Sequence, residues 1–203
     1  MSVFTKLCTG LLISALSLTA QAAQPEVQNP DQLPTEATLD VADTREVIQV
    51  LYVSNTAEIK LSDLVSERNP DADLQRYADE LARDHSFMIK LLETMANVKS
   101  ISLEDNELSE VAQLTSTKME QEMQNLAAKP VEEFRPAFLE MNIAMHQKTL
   151  EMFNKIEQGN TDDALKAAIG IFRQLVEKHL SDAQKLQSPS EPAQPAEPTQ
   201  PVE

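Results

Sequence analysis

Tryptophan is absent from this 203-residue chain, and cysteine (one), tyrosine (two), glycine and histidine (three each) are scarce. Each shortage excludes something. A single cysteine, Cys8, excludes an intramolecular disulfide and any site built from several thiolates. Three glycines leave no glycine-rich loop of the kind that cradles a phosphate. Basic residues are outnumbered, 17 Lys and Arg against 33 Asp and Glu, for a net charge of −16. That balance argues against nucleic acid or anionic lipid as a partner and describes a soluble, self-repelling surface. No stretch alternates apolar and polar residues as a half-buried strand would.

The first 22 residues have the pattern of an export signal. Lys6 is the positive start, Leu7 to Leu18 the apolar run, and Ala20-Gln21-Ala22 a small-residue cleavage site. Cleavage after Ala22 would remove Cys8, which lies too early to be a lipidated cysteine, and would address the protein to a bacterial periplasm or cell envelope. No later stretch is long and uncharged enough to span a bilayer, so no transmembrane span is expected after signal removal. Residues 23–42, punctuated by Pro25, Pro30 and Pro34, read as an unstructured lead-in. At the other end, Pro189, Pro192, Pro195, Pro198 and Pro201 recur every third residue through a tail covering 188–203. That is the period of a polyproline II helix, which suits a solvated spacer or a strip on which an envelope partner could dock.

Residues 43–187 form one domain of ordinary size, with apolar residues at helical spacing. A first helix is expected from Thr44 to Val65, opened by Asp43 and Glu46 as a capping box. A second should start at Asn69-Pro70, a cap followed by a proline in the first turn. A weaker, more polar segment over about 105–128 reads as a crossover. A long helix follows from Val131 to Gln158, with Pro136 able to kink its start and Gly159 as a left-handed cap. The last begins near Thr161, with Asp162 and Asp163 complementing the helix dipole. Short links pair the first two and the last two long helices as antiparallel hairpins. The expected fold is all-α, a four-helix bundle with a partly helical crossover.

The three histidines, His85, His146 and His179, each fall on the apolar stripe of a different long helix. A buried imidazole costs energy unless it is paired. With Glu58 on the first helix they make a candidate ligand set, Glu58, His85, His146 and His179, with Asp84 and Glu80 as acceptors that could orient a histidine. Imidazole with carboxylate suits zinc, iron, copper or nickel. A di-iron centre of the ferritin kind needs Glu-x-x-His, and Ala82 and Val176 stand where those glutamates would be. Counting along the helices puts His85 level with His146, and Glu58 level with His179, roughly 10 Å away. On that count the alternatives are one four-ligand site or two polar layers that fix the bundle's register. The methionines at helical spacing read as packing.

Four segments carry a family resemblance. Ala57-Glu58-Ile59-Lys60-Leu61, the run from Tyr77 to His85, that from Phe134 to His146, and that from Leu175 to Ala183 resemble the motifs of the bacterial family called domain of unknown function 4142. The Asp84-His85 pair and the spacing of all three histidines carry the likeness. Arg135 and Phe138 depart from it, standing where the family usually has Asp and Tyr. The resemblance implies a ferritin-like bundle and an envelope address, and no reaction. Two functions are therefore expected: a non-enzymatic envelope protein acting by contacts, in structure or under stress, or a ferritin-like metal-binding protein using the Glu/His set.

Overall fold

A computed structural model describes residues 38–68 and 70–188. The segment expected to be an export signal, most of the expected lead-in, Asn69 and the Pro-rich tail beyond Ser188 lie outside the described residues. Five α-helices follow in order: α1 (Thr44–Glu67), α2 (Ala72–Lys99), α3 (Glu110–Ala127), α4 (Val131–Gly159) and α5 (Asp163–Gln187). A 3-10 turn, Asp105–Glu107, precedes α3, and no strand occurs among the described residues. The protein is an all-α helical bundle.

The helix ends show where local chemistry decides. The Asp43 side chain accepts from the Arg45 and Glu46 amides at the start of α1. Glu46 does not close the box on Asp43; its carboxylate accepts the Asp40 amide at 3.2 Å. Asp71 caps α2, accepting from the Asp73 and Leu74 amides, so Pro70 precedes the helix instead of opening it. Asp71 outcompetes the expected start because its side-chain oxygen satisfies two amides that would otherwise be orphaned. Gly159 is the last residue of α4, and no glycine among the described residues has positive φ. What its position demands is space: a Cβ there would sit 2.6 Å from Val41 Cγ2. Pro136 lies inside α4, which runs on through it unbroken.

The crossover is more ordered than expected. Gln49 on α1, fully buried, donates to the Ser102 and Glu107 carbonyls and accepts the Ser109 amide, pinning the loop that leads into α3. The end of the lead-in is also fixed. Asn160 donates to the Val41 carbonyl at 2.9 Å, and Leu39 and Val41 pack on the core.

The helices pack as two hairpins, α1 with α2 and α4 with α5, and α2 lies against α5. On the remaining side α3 lies against both α1 and α4. This explains why burial on α1 exceeds one stripe and takes in Ile48, Gln49, Val53 and Asn55. The core has two main apolar clusters. One gathers Ile48, Leu51, Leu92, Phe153, Ile169 and Phe172; the other gathers Leu61, Leu74, Leu81, Phe134, Phe138 and Leu139. Burying each such side chain contributes about 1.5–3 kcal/mol. Along every long helix a gap separates the residues of one cluster from those of the other. The gaps hold buried polar groups: Asn55 and Glu58 on α1, Asp84 and His85 on α2, Asn142 and His146 on α4, His179 on α5. A polar layer inside a bundle opposes folding unless its members satisfy one another.

Candidate metal centre

The three histidines meet in this layer. Their ring centroids lie 5.9 Å (His85–His146), 5.2 Å (His85–His179) and 5.3 Å (His146–His179) apart. One nitrogen from each ring lies within 4.8 Å of the others. Counting along the helices had set His179 about 10 Å from the other two, and the structure overturns that. His146 precedes the end of α4 at Gly159 by 13 residues, while His179 follows the start of α5 at Asp163 by 16. The offset is about 4.5 Å along the axis. Helical side chains lean toward their own N-terminus, so in this antiparallel pair the two imidazoles lean toward each other and close it.

Each ring is held by one oxygen acceptor. Asn55 Oδ1 lies 2.7 Å from His85 Nδ1, and the Asn55 amide nitrogen donates to the Leu51 carbonyl. With its NH2 so engaged, Asn55 turns oxygen to the ring, and His85 Nδ1 must carry the proton. His146 Nδ1 donates to the Asn142 carbonyl at 2.8 Å. His179 Nε2 donates to Asp84 Oδ2 at 3.0 Å.

Burial holds all three imidazoles below their ordinary pKa. For His85 the shift is large, with repulsion from His146 and His179 adding to it. His146 is brought down to about 4, partly opposed by its bond to Asn142. His179 is lowered by burial against the pull of Asp84. Burial raises Asp84, but His179 and Arg83 outweigh it and keep the carboxyl below the usual range. All three rings are therefore neutral at pH 7, and the second nitrogen of each carries a lone pair.

Those second nitrogens, His85 Nε2, His146 Nε2 and His179 Nδ1, are buried and have no hydrogen-bond partner in the protein. Three lone pairs held close together repel, and each stranded acceptor costs about 1–3 kcal/mol. A water molecule has two protons for three acceptors. A cation satisfies all three at once, and the oriented N–H on the far side of each ring is what metal-bound histidines commonly show. Zinc–nitrogen bonds of about 2.0–2.1 Å are shorter than this spacing demands, so binding would draw the rings inward.

The other expected site residues divide. Glu58 is buried in the same layer and lines the same cavity as His85 and His146. The described side chains close enough to share one ion are nevertheless the three histidines, without Glu58. Asn142 donates to Glu58 Oε2 at 3.2 Å, and the Tyr77 hydroxyl donates to Asn142 Oδ1. Burial pushes the Glu58 carboxyl up to about 8, against the lowering effect of Asn142. Glu80 pairs with Lys178 and Arg83, and it acts on His179 through its charge, not through a hydrogen bond. Asn55 and Asn142 were missed in the sequence. Their signal was there: each is a short amide on a buried helix face, and Asn142 lies one turn before His146.

The chain matches the family described as Domain of unknown function (DUF4142) over residues 19–186. It belongs to that family. Neither a curated protein nor a solved structure matches the chain. In this DUF4142 chain Arg135 and Phe138 have structural roles. Arg135 bonds Asp71 at 2.7 Å and the Leu186 carbonyl, and Phe138 is fully buried with its ring 6.3 Å from that of Tyr77. No described helix is long and apolar enough to cross a membrane.

Proposed function

We propose that this protein is an exported metal-binding helical bundle that holds one divalent transition-metal ion on His85, His146 and His179. The observation that carries the reading is the cluster of three buried rings, one nitrogen of each within 4.8 Å of the others, in which every ring has one nitrogen fixed by an oxygen acceptor and one without a partner. Neutral imidazoles suit zinc, copper, iron or nickel. The residues before Ala23 support an envelope address. Glu58 stands outside the ligand set and contributes a carboxyl to the cavity wall beside it.

Elemental analysis of the full chain, expressed with its leader and purified without chelator or affinity tag, tests the reading. About one equivalent of a single transition metal is expected, lost in each of His85→Ala, His146→Ala and His179→Ala. Far-UV circular dichroism separates loss of metal from loss of fold. Folded protein with only trace metal, and no rise in melting temperature on adding zinc, copper or iron, overturns it. Bound ion should raise the melting temperature with its concentration, because only the folded state brings the rings together. Fractionation of cells tests the address separately: recovery in the cytoplasm at full length refutes export and leaves the metal site in place.

A further inference from the structure

The cavity that Glu58 lines has a chemistry separate from the triad. It opens among α1, α3 and α4 with a volume of about 340 Å³, within the range of small-molecule sites. The unpartnered histidine nitrogens are buried and do not face into it. Most of the wall is apolar, including Val50, Leu51, Met88, Met119, Met152 and Phe153. Two of its polar groups are already engaged: Asn55 by His85 and the Leu51 carbonyl, and the Thr115 hydroxyl by the Val111 carbonyl.

Glu58 is different. It is the one carboxyl in the wall, and its side chain is more than nine-tenths buried. Asn142 donates to Oε2, and among the described residues nothing donates to Oε1. Oε1 is not sealed off as the ring nitrogens are; it opens on the cavity that its residue lines. A carboxylate oxygen in an apolar space calls for a donor. A cationic donor meets the need best, because a charge-assisted bond is stronger than a neutral one and the buried pair then carries no net charge. Lys148, the one basic side chain in the wall, is exposed, so solvent screens its opposing charge. The chain's net charge of −16 favours the approach of a cation.

We propose that the cavity binds a primary alkylamine, its ammonium bonded to Glu58 Oε1 and its chain lying along Met88, Met119 and Met152. This holds whether or not an ion occupies the triad. The test is calorimetric titration of the full chain, metal-free in chelator, at pH 8. Alkylamines are cations there, and the Glu58 carboxyl, at about 8, is half ionised. The ligands are butylamine, hexylamine and octylamine, with hexanol and hexanoate for comparison. Hexylamine should bind about tenfold tighter than hexanol, with hexanoate weakest. Affinity should rise about fourfold per added methylene until the cavity is full. Glu58→Gln keeps the outline of the side chain and should bring hexylamine level with hexanol. Met119→Trp fills the α3 side of the cavity and should weaken both. Circular dichroism confirms that each variant is folded, and two variants keep the result independent of either one. Three results overturn the inference: no amine binds, hexanol or hexanoate binds as tightly as hexylamine, or the preference for amine survives in Glu58→Gln. Because no metal is present, each leaves the triad untouched.

Discussion

Replacing Glu58 by glutamine removes a titration and keeps a shape. The side chain is buried at 6 % exposure, and its carboxyl is pushed from 4.5 up to about 8. Glutamine has the same outline and can still accept the Asn142 amide through its oxygen. A folded-state pKa above the unfolded one means stability that is present below about pH 4.5 and lost as pH rises to about 8, because the unfolded chain ionises first. Each pH unit in that window costs the wild type about 1.4 kcal/mol. The Glu58→Gln variant does not bear this cost. Its advantage should be near zero at pH 4.5, about 3 kcal/mol at pH 7, and level off at about 5 kcal/mol above pH 8. Against a total stability of about 5–15 kcal/mol, that is readily measured. Urea titrations of both proteins, metal-free in chelator and followed by circular dichroism at several pH values from 4.5 to 9, give the difference directly. A difference that stays flat across this range refutes the reasoning. It would mean that Glu58 is ionised in the fold, compensated by something other than Asn142.

Further outcomes follow from the same layer and its surroundings. In the Glu58→Gln background, where the opposing carboxyl titration is gone, metal-free protein should lose stability as pH falls below about 6.5. His146, at about 4 in the fold, accounts for roughly 2.5 kcal/mol of that loss by itself, and chemical denaturation at pH 7 and pH 4.5 measures it. Asn55→Ala strands the His85 Nδ1 proton, so it should cost about 1–3 kcal/mol and weaken zinc about 10- to 100-fold in a competition titration. Gly170→Ala meets nothing within 4 Å and should stabilise α5 by up to about 1 kcal/mol in thermal melts. Gly159→Ala drives a Cβ onto Val41 and should forfeit that gain or reverse it in the same assay.

The bundle was legible because its signal is repetitive. Residues such as Leu74, Tyr77, Ala78, Leu81 and His85 recur at helical spacing, and all five are buried as that period requires. The histidines were legible for the same reason, since an imidazole on an apolar stripe violates the pattern. Their heights were not. Counting residues from a turn gives backbone levels, and a ring several ångströms from its Cα moves with the lean of its helix. Gly159 was misread because positive φ and want of space leave the same mark in a sequence, and Val41, which decides between them, is far away in the chain. The cavity was illegible altogether. It arises because α3 stands between α1 and α4, and that position is set by Gln49 gripping a loop some fifty residues downstream.

Ownership of the polar layer is divided between the two hairpins. The first carries Asn55, Glu58 and His85; the second carries Asn142, His146 and His179. Neither half of the chain can assemble the triad alone, and a slip of one turn by any long rod would carry its contribution out of reach. An ion seated there would act as a proofreader of assembly, rewarding only the arrangement in which both halves have found each other in the correct register.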